Sequence, residues 1–191
     1  EVAVGPAQSI RAATSAENFD RLVVDVQEGE LMVHRKSEMF SWFGNQPRFK
    51  VSVTVPSLRA VKASSGSSAN VTGDVKNGLD VDVSSGADAR VANILGGDVS
   101  IDASSGADAV VAGVCAVLDA EASSGADIDA GKLKCDTVAA DASSGGGLSV
   151  YATKAISGSA SSGGSVTVLG SPPQVNSDQS SGGTFKVSPA T

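Results

Sequence analysis

Apolar and polar residues alternate through most of this chain, and one tripeptide interrupts the alternation at regular intervals. In a representative stretch, Leu79, Val81 and Val83 alternate with Asp80 and Asp82. A period of two indicates a β-strand with one buried face and one face in solvent. Ser-Ser-Gly follows this stretch, and a second alternating stretch follows the tripeptide. The pattern therefore predicts coils in which two strands meet at a tight corner.

The tripeptide Ser-Ser-Gly occurs seven times, at intervals of 20, 20, 19, 20, 18 and 19 residues. Its first serines are Ser64, Ser84, Ser104, Ser123, Ser143, Ser161 and Ser180. A fixed period of this kind indicates stacked repeats, in which each unit buries its apolar face against the next. Helical repeats and propeller blades need longer periods, and the Leu-x-x-Leu-x-Leu pattern of leucine-rich repeats is absent. We therefore predict an all-β fold, a single-stranded parallel β-helix with coils of about 20 residues.

The Ser-Ser-Gly corner has a structural interpretation. Glycine permits a sharp bend at positive φ, and two small serines let successive coils approach. Their hydroxyls are expected to form a ladder from coil to coil. A nucleophilic serine would need a base within hydrogen-bond reach, and His34, the one histidine, lies outside the repeats. The sequence therefore predicts no catalytic residue.

The N-terminal third of the chain lacks the repeat. Residues 1–56 are predicted to form irregular strands that cap one end of the rod, and residues 57–191 the regular coils. Together they are expected to form one domain over residues 1–191. Within the first segment, strands are predicted over residues 19–26 and 30–34.

An apolar segment between strands stands out in this N-terminal third. Three of the seven aromatic residues of the chain fall within four positions there. The large apolar residues of the segment are Met39, Phe40, Trp42 and Phe43. If they are exposed, they form a binding loop for a ligand or partner. If they fold back, they fill the end of the core, and the sequence favours this second interpretation.

Stacking converts periodic residues into columns, and two of these columns are acidic. One contains Asp82, Asp102, Glu121 and Asp141, and the other contains Asp88, Asp108 and Asp127. Like charges at strand spacing repel, so the simplest interpretation is a solvated face that keeps the rod soluble. Two alternatives are a weak Ca²⁺ site and a carboxylate pair that acts on a glycosidic bond. Known calcium-loop patterns are absent, so we predict no metal site and no cofactor.

The two cysteines occupy equivalent positions in adjacent coils. Cys115 and Cys135 each lie eight residues before the first serine of the next corner. Neighbouring strands place equivalent Cα atoms about 5 Å apart, which a disulfide accepts. We predict a disulfide between them, and the alternative is a pair of reduced, buried thiols.

The composition limits the partners and the setting of this protein. The formal charge of -7 and the pI of about 4.6 argue against nucleic acid or an anionic membrane as the main partner. No run of 18 apolar residues occurs, so no transmembrane segment is expected. The chain starts at Glu1 rather than Met, and we expect a mature product from which a targeting peptide was removed.

Several stretches, taken in order, resemble one family of bacterial domains. They are Phe19-Asp20-Arg21-Leu22-Val23-Val24, Val51-Ser52-Val53-Thr54-Val55-Pro56-Ser57-Leu58, the repeated Ser-Ser-Gly-Ala-Asp, and Ser161-Ser162-Gly163-Gly164 followed by Leu169-Gly170-Ser171-Pro172. The chain is similar here to the putative auto-transporter adhesin, head GIN domain family. The resemblance implies a right-handed parallel β-helix that is exported to the periplasm or cell surface, and it supplies no catalytic residue.

These observations predict a non-catalytic, exported envelope or surface protein that acts as an adhesin-like binding module. Its partner is unknown, and a cell-surface glycan or an envelope protein is the candidate. The alternative is a glycan-binding or glycan-acting protein, because parallel β-helices often carry such activities. That alternative rests on fold analogy.

Overall fold

The computed structural model describes residues 1–14, 16–36 and 49–189, with the backbone alone described at residues 16–18. Strands occupy most of these residues, and a 3-10 helix spans Ala16–Arg21. The strands are β1 (Val2–Val4), β2 (Ser9–Ala13), β3 (Leu22–Gln27), β4 (Glu30–Arg35), β5 (Lys50–Val55), β6 (Ala60–Ala63), β7 (Ser68–Thr72), β8 (Leu79–Val83), β9 (Asp88–Leu95), β10 (Asp98–Ala103), β11 (Asp108–Ala122), β12 (Asp127–Ala142), β13 (Gly147–Ala160), β14 (Ser165–Leu169), β15 (Gln174–Gln179) and β16 (Thr184–Ser188).

The repeats stack in parallel and form a β-solenoid, which confirms the predicted fold. Val81 pairs with Ile101, Ile101 with Ala120, and Ala120 with Ala140. Each partner therefore lies one sequence period further along the chain. This register is what the corner spacing predicts, because equivalent residues of successive coils become neighbours.

Two faces of the rod meet at the Ser-Ser-Gly corners. Face one consists of the strands that lead into a corner: β6, β8, β10, the second halves of β11, β12 and β13, and β15. Face two consists of the strands that follow a corner: β7, β9, the first halves of β11, β12 and β13, β14 and β16. The outward side chains of each face therefore form straight columns along the rod.

The inside of the coils is filled by aliphatic side chains. One inward column contains Leu79, Val99, Leu118, Val138 and Ile156, and none of these is more than 2% exposed. Burial of a Val, Leu or Ile side chain stabilises a fold by about 1.5–3 kcal/mol. Among the described residues no polar or charged residue is buried. Apolar burial and the backbone ladder therefore hold the stack together.

The corners are tight turns with two residues in the left-handed region. At a representative corner, Ser105 has φ 55° and Gly106 has φ 68°, and Ala107 N donates to Ser104 O at 3.3 Å. Positive φ at both central residues is typical of a type I′ turn. Gly106 N donates to the backbone oxygen of Ser124 in the next coil at 3.1 Å. All seven tripeptides share the two positive φ angles and the turn bond.

The corner ladder is made by backbone groups rather than by serine hydroxyls. In the part of the chain that the structure describes, no hydroxyl of the seven tripeptides makes a side-chain hydrogen bond. The second serine instead holds a left-handed conformation, which costs an L-residue about 1–2 kcal/mol. The structure thus replaces the expected hydroxyl ladder with a strained turn whose glycine N–H bonds to the next coil.

The N-terminal segment adds strands of several kinds. β1 lies between β5 and β7 and is parallel to both, whereas β2 is antiparallel to β5. β3 and β4 pair only with each other among the described strands. The expected strand over residues 19–26 is wrong in its first three residues, which belong to the 3-10 helix. Regular apolar alternation begins only at Leu22, so residues 19–21 lack a face to bury.

Glycines at corners and glycines between coils are predicted to tolerate alanine differently. Gly106→Ala should destabilise by about 1–2 kcal/mol, because only its left-handed backbone is strained and a Cβ there meets nothing within 4 Å. Gly113→Ala should cost clearly more, because its Cβ would meet the backbone oxygen of Ile94 in the adjacent coil. Urea unfolding of both variants measures the difference. Equal midpoints would show that coil contact does not constrain Gly113.

Candidate functional site

Stacked carboxylates on face one form the most distinctive surface of the rod. Successive register partners are Asp82, Asp102, Glu121 and Asp141, which we call the acidic column. Lys62 precedes the column and Ser159 follows it in the same register. The Ser159 hydroxyl donates to the Asp141 carboxylate at 2.5 Å. A row of negative charge therefore runs along four consecutive coils.

A second row on the same face reinforces this charge. Asp80 and Asp119 both pair with Ser100, two residues before the acidic column on each strand. Residues two apart on a strand point to the same side. The columns predicted from the sequence take one position per coil and do not include these carboxylates, although the alternation of Asp80 with Val81 and Asp82 is a signal for them.

The proximity of these groups changes their protonation. Partial burial raises the pKa of Asp102, and the neighbouring charges of Asp82 and Asp119 raise it further. The pKa of Glu121 is raised chiefly by the charge of Asp102, with smaller contributions from burial and other carboxylates. The parallel register contributes to both shifts, because it leaves like charges on adjacent strands, and burial is the larger cause for the pKa of Asp102.

Raised carboxyl pKa values have a defined effect on stability. A folded state with a raised pKa binds more protons than the unfolded chain in the intervening pH range. Its stability therefore falls as the pH rises through that range, and the cost is fully present above the folded pKa. Repulsion within the acidic column destabilises the rod at neutral pH, and acidification relieves it.

A shallow groove of about 290 Å³ runs between the acidic column and the corners. Its walls include the four carboxylates of the column and the first serines of three corners, Ser104, Ser123 and Ser143. All residues that line this groove are described, and none of them is basic. The groove is therefore a negatively charged surface with hydroxyl groups along one side.

The second acidic column lies on face two. Asp88, Asp108 and Asp127 are register partners, and the Ser68 hydroxyl donates to Asp88 at 3.2 Å. The next position is Gly147, where an added Cβ would meet the Asp127 carboxylate. The second acidic column therefore ends at Gly147, whose lack of a side chain leaves room for the Asp127 carboxylate.

The arrangement presents charge along a line rather than around a centre. Within residues 1–14, 16–36 and 49–189, no three His, Cys, Asp or Glu side chains form a group that could hold a metal ion. His34 lies on β4, outside the coils that carry the serines. The geometry suits electrostatic contact with an extended partner, and the described side chains bring no serine together with a histidine base.

The two cysteines meet on the side of the rod between the two faces. Cys115 and Cys135 are register partners with Cα atoms 4.5 Å apart, and a disulfide joins them. Cys135 is fully buried and Cys115 is 8% exposed. The disulfide links two adjacent coils at a pair of residues that the parallel backbone pairing of β11 and β12 already places side by side.

Two further expectations concern the aromatic segment and the membrane. Met39, Phe40, Trp42 and Phe43 lie outside the described residues. In the described part of the chain, no helix has the length and apolar character needed to cross a membrane.

Comparison with known proteins gives a family and a fold. A family model described as putative auto-transporter adhesin, head GIN domain, matches residues 1–172. No curated protein matches the chain. A solved structure of a putative adhesin from Bacteroides fragilis has a TM-score of 0.84 and 16% identity, covering 98% of this chain and 86% of that chain.

Two other solved structures have the same architecture. A putative adhesin from Parabacteroides merdae has a TM-score of 0.72 and 17% identity, covering 98% of this chain and 86% of that chain. A putative lipid binding protein from Parabacteroides distasonis has a TM-score of 0.66 and 19% identity, covering 98% and 87%. At these identities the likeness shows the fold alone.

Removal of one charge from the centre of the acidic column should stabilise the rod. Asp102→Asn is expected to raise the Tm at pH 7, because it removes repulsion from the adjacent carboxylates. The gain should shrink as the pH falls towards about 4, where an ordinary aspartate is half protonated. Asp20→Asn, which removes an exposed charge outside the coils, is the matched control for thermal unfolding across pH. A lower Tm for Asp102→Asn than for the control would contradict the electrostatic account.

The disulfide should contribute measurably to stability. Loss of the bond in a Cys115→Ala/Cys135→Ala variant should cost about 3 kcal/mol, the size expected for a closed loop of this length. Urea unfolding of the variant and of the wild type gives the difference. In parallel, alkylation under denaturing, non-reducing conditions should leave both cysteines unmodified, and two alkyl groups on the intact mass would refute the bond.

Proposed function

The chain belongs to the putative auto-transporter adhesin, head GIN domain family, and from this premise we propose that it is a non-catalytic, exported binding module of the cell envelope or surface. The observation that carries the proposal is the acidic column and its groove, held in fixed register on an exposed face of the solenoid. The rod presents this face to a partner, and the partner contributes complementary positive charge.

Stiffness of the scaffold supports a binding role. Each coil is bonded to the next through parallel backbone pairs, through the corner glycines and through a common aliphatic core. A surface that is ordered before binding loses little conformational freedom when a partner arrives. The charged rows are already in fixed positions, so little binding free energy is lost in ordering them when a partner arrives.

The distribution of charge favours a protein partner with a basic surface. Residues 63–141 carry 13 acidic and four basic residues, and residues 142–191 carry one acidic and two basic residues. The negative field is thus confined to the coils that contain the columns. Complementary potentials accelerate encounter and select against partners of the same sign. An envelope protein with a basic patch fits this field better than a neutral glycan.

Export is supported by the disulfide. Disulfides persist in oxidising compartments such as the periplasm and the cell surface, and they are rare in the cytosol. The bond between Cys115 and Cys135 links two coils whose cysteines are almost fully buried. A protein that folds and works outside the cytosol would form such a bond and keep it.

The geometry argues against two other activities. Glycoside hydrolysis requires two carboxyl groups that flank the bond, whereas the carboxylates of face one repeat in rows along an open surface. The lipid-binding description of one structural relative would require apolar space, and the interior of the described coils is filled by buried aliphatic side chains. Binding at the outer faces remains the best-supported role.

Binding to a panel of envelope proteins and cell-surface glycans tests the proposal. Wild-type protein is expected to bind a basic envelope protein, and the affinity should fall as salt screens the charges. An Asp102→Asn/Glu121→Gln variant should bind more weakly, because it removes the two central charges. Asp20→Asn is the matched control, and Trp42→Ala tests whether the aromatic segment contributes.

The outcomes separate the alternatives. Weakened binding in the double variant with unchanged binding in the Asp20→Asn control supports the acidic face as the binding surface. Loss only in Trp42→Ala would move the site to the aromatic segment. Binding to neutral glycans that is insensitive to salt would favour the glycan-binding alternative, and no binding across the panel would refute the adhesive role.

A further inference from the structure

The segment that follows β7 is bonded to the next coil along one of its edges. Residues 73–77 carry the chain from β7 towards β8, and Val75 pairs in parallel with Ile94 of the next coil. Val75 N donates to Asn93 O at 3.0 Å, and Leu95 N donates to Val75 O at 2.8 Å. Both backbone groups of Val75 are therefore used on the side that faces the next coil.

The opposite edge of this segment is open. Successive residues of an extended segment direct their N–H and C=O groups to alternate edges, so Asp74 and Lys76 direct theirs away from the next coil. Neither residue makes a backbone hydrogen bond to another described residue. By contrast Val114, in the same register two coils further along, pairs with Leu95 on one side and Lys134 on the other. The coil that contains β7 therefore lacks one strand beside residues 73–77.

The path of the N-terminal segment explains why this strand is missing. β1 is the strand beside β7, and it ends at Val4. Gly5 N donates to Val55 O at 2.9 Å, and the chain then crosses to β2 on the other side of β5. Pro6 follows β1 and Pro56 follows β5, and proline lacks the N–H that a further backbone pair would need. The two strands that could continue beside residues 73–77 therefore both stop short of them.

The missing strand leaves a groove of about 490 Å³, which we call the strand groove. One wall is the open edge of residues 73–77, and the other wall includes Val4, Pro6, Pro56 and Leu58. Leu58 is partly buried and packs against the core. The strand groove shares no residue with the groove beside the acidic column. It therefore combines apolar side chains on one side with free backbone donors and acceptors on the other.

The charged side chains at the open edge lie on either side of Val75. Asp74 and Lys76 are exposed, and the Asp74 carboxylate accepts from Asn93 Nδ2 at 2.7 Å. Val75 between them is buried. A strand added here would place one side chain inward in the row of Val75 and the next side chain beside the Lys76 ammonium. The edge thus favours an aliphatic residue followed by an acidic one.

We propose that the strand groove binds an extended peptide segment of a partner protein, which adds a strand parallel to residues 73–77. The peptide residue opposite Val75 makes two backbone bonds: its N–H donates to Asp74 O, and its C=O accepts from Lys76 N–H. Addition of a strand to an open sheet edge is a known mode of peptide recognition. The backbone supplies most of the recognition, because a C=O and an N–H at this spacing are complementary to another backbone. This site is separate from the acidic column and does not depend on the function proposed for that surface.

Amide hydrogen exchange measured by NMR on the full chain tests the open edge. In the free protein, the Lys76 N–H should exchange fast and the Val75 N–H slowly, because only the latter is bonded. The probe is the peptide acetyl-Ser-Thr-Val-Glu-Ser-amide, whose valine is intended to lie opposite Val75 and whose glutamate is intended to lie opposite Lys76. Saturating peptide should slow exchange of the Lys76 N–H and leave that of Val75 unchanged. A Lys76 N–H that is already protected in the free chain, or that the peptide leaves unprotected, overturns the proposal.

Methylation of single peptide nitrogens tests the pairing without any change to the protein. N-methylation of the central valine removes the N–H that donates to Asp74 O, so this peptide should no longer protect the Lys76 N–H. N-methylation of the glutamate removes an N–H that points away from residues 73–77, so this peptide should still bind. Equal effects of the two methylated peptides would show that the peptide does not add as a strand in this register, and the proposal would be wrong.

A variant that fills the strand groove locates the bound peptide. Ser57 is exposed and lines the groove, so Ser57→Tyr should abolish protection of the Lys76 N–H by the peptide. Ser171→Tyr, at an exposed serine outside the groove, is the matched control and should bind as the wild type does. Slow exchange of the Val75 N–H in both variants shows that the coils are intact. Peptide protection that survives Ser57→Tyr overturns the proposal.

Other classes of ligand give a different result in the same experiment. Cellohexaose represents a neutral glycan, and octanoate represents a lipid chain that could enter the apolar side of the groove. Neither should slow exchange of the Lys76 N–H as the peptide does. Shifts of the signals of residues 73–77 with either compound, and none with the peptide, would assign the groove to that ligand and refute a peptide site.

Discussion

Parallel backbone pairing between equivalent residues of successive coils is the constraint on which the rest of this structure depends. It is set at the Ser-Ser-Gly corners, where the turn closes within one coil and the glycine N–H reaches the backbone of the next coil. Small side chains allow this approach, and glycine tolerates the required backbone conformation. Once the corners align, the strands on both sides of them are aligned too, and each inward aliphatic residue meets its equivalent.

The same register imposes costs that the sequence has to accommodate. Seven serines adopt positive φ, and carboxylates that would repel one another lie side by side on four coils. Both are unfavourable locally. They persist because the stack over-determines them, through backbone bonds on both edges of every internal strand and a core without buried polar groups in the described residues. The strained serines form the corner turns, and the charge of the acidic column is the cost on which we base the proposed binding surface.

The sequence predicts the repeating part of this fold well because the repeat itself carries the information. Alternation specifies strands, the corner spacing specifies register, and register places Cys115 beside Cys135 and Asp102 beside Glu121. The sequence predicts the backbone conformation of the corners less well. A glycine in the tripeptide indicates a residue at positive φ, but nothing in the sequence indicates that Ser105 also adopts the left-handed conformation. Serine hydroxyls often bond to nearby backbone groups, but at these corners backbone groups make the turn bond and the bond to the next coil.

The N-terminal end shows why the remainder could not be predicted. Three residues of β1 give too short an alternation to identify a strand, and their pairing with β5 and β7 depends on contacts about fifty or more residues away. Repetition in the sequence predicts pairing only between equivalent positions of successive repeats, and β1 belongs to no repeat. The one local signal is Gly73, whose need for glycine becomes evident only when the Val4 backbone is beside it. The regular coils thus follow from local pattern and repetition, whereas the rung that β1 completes follows from tertiary contact.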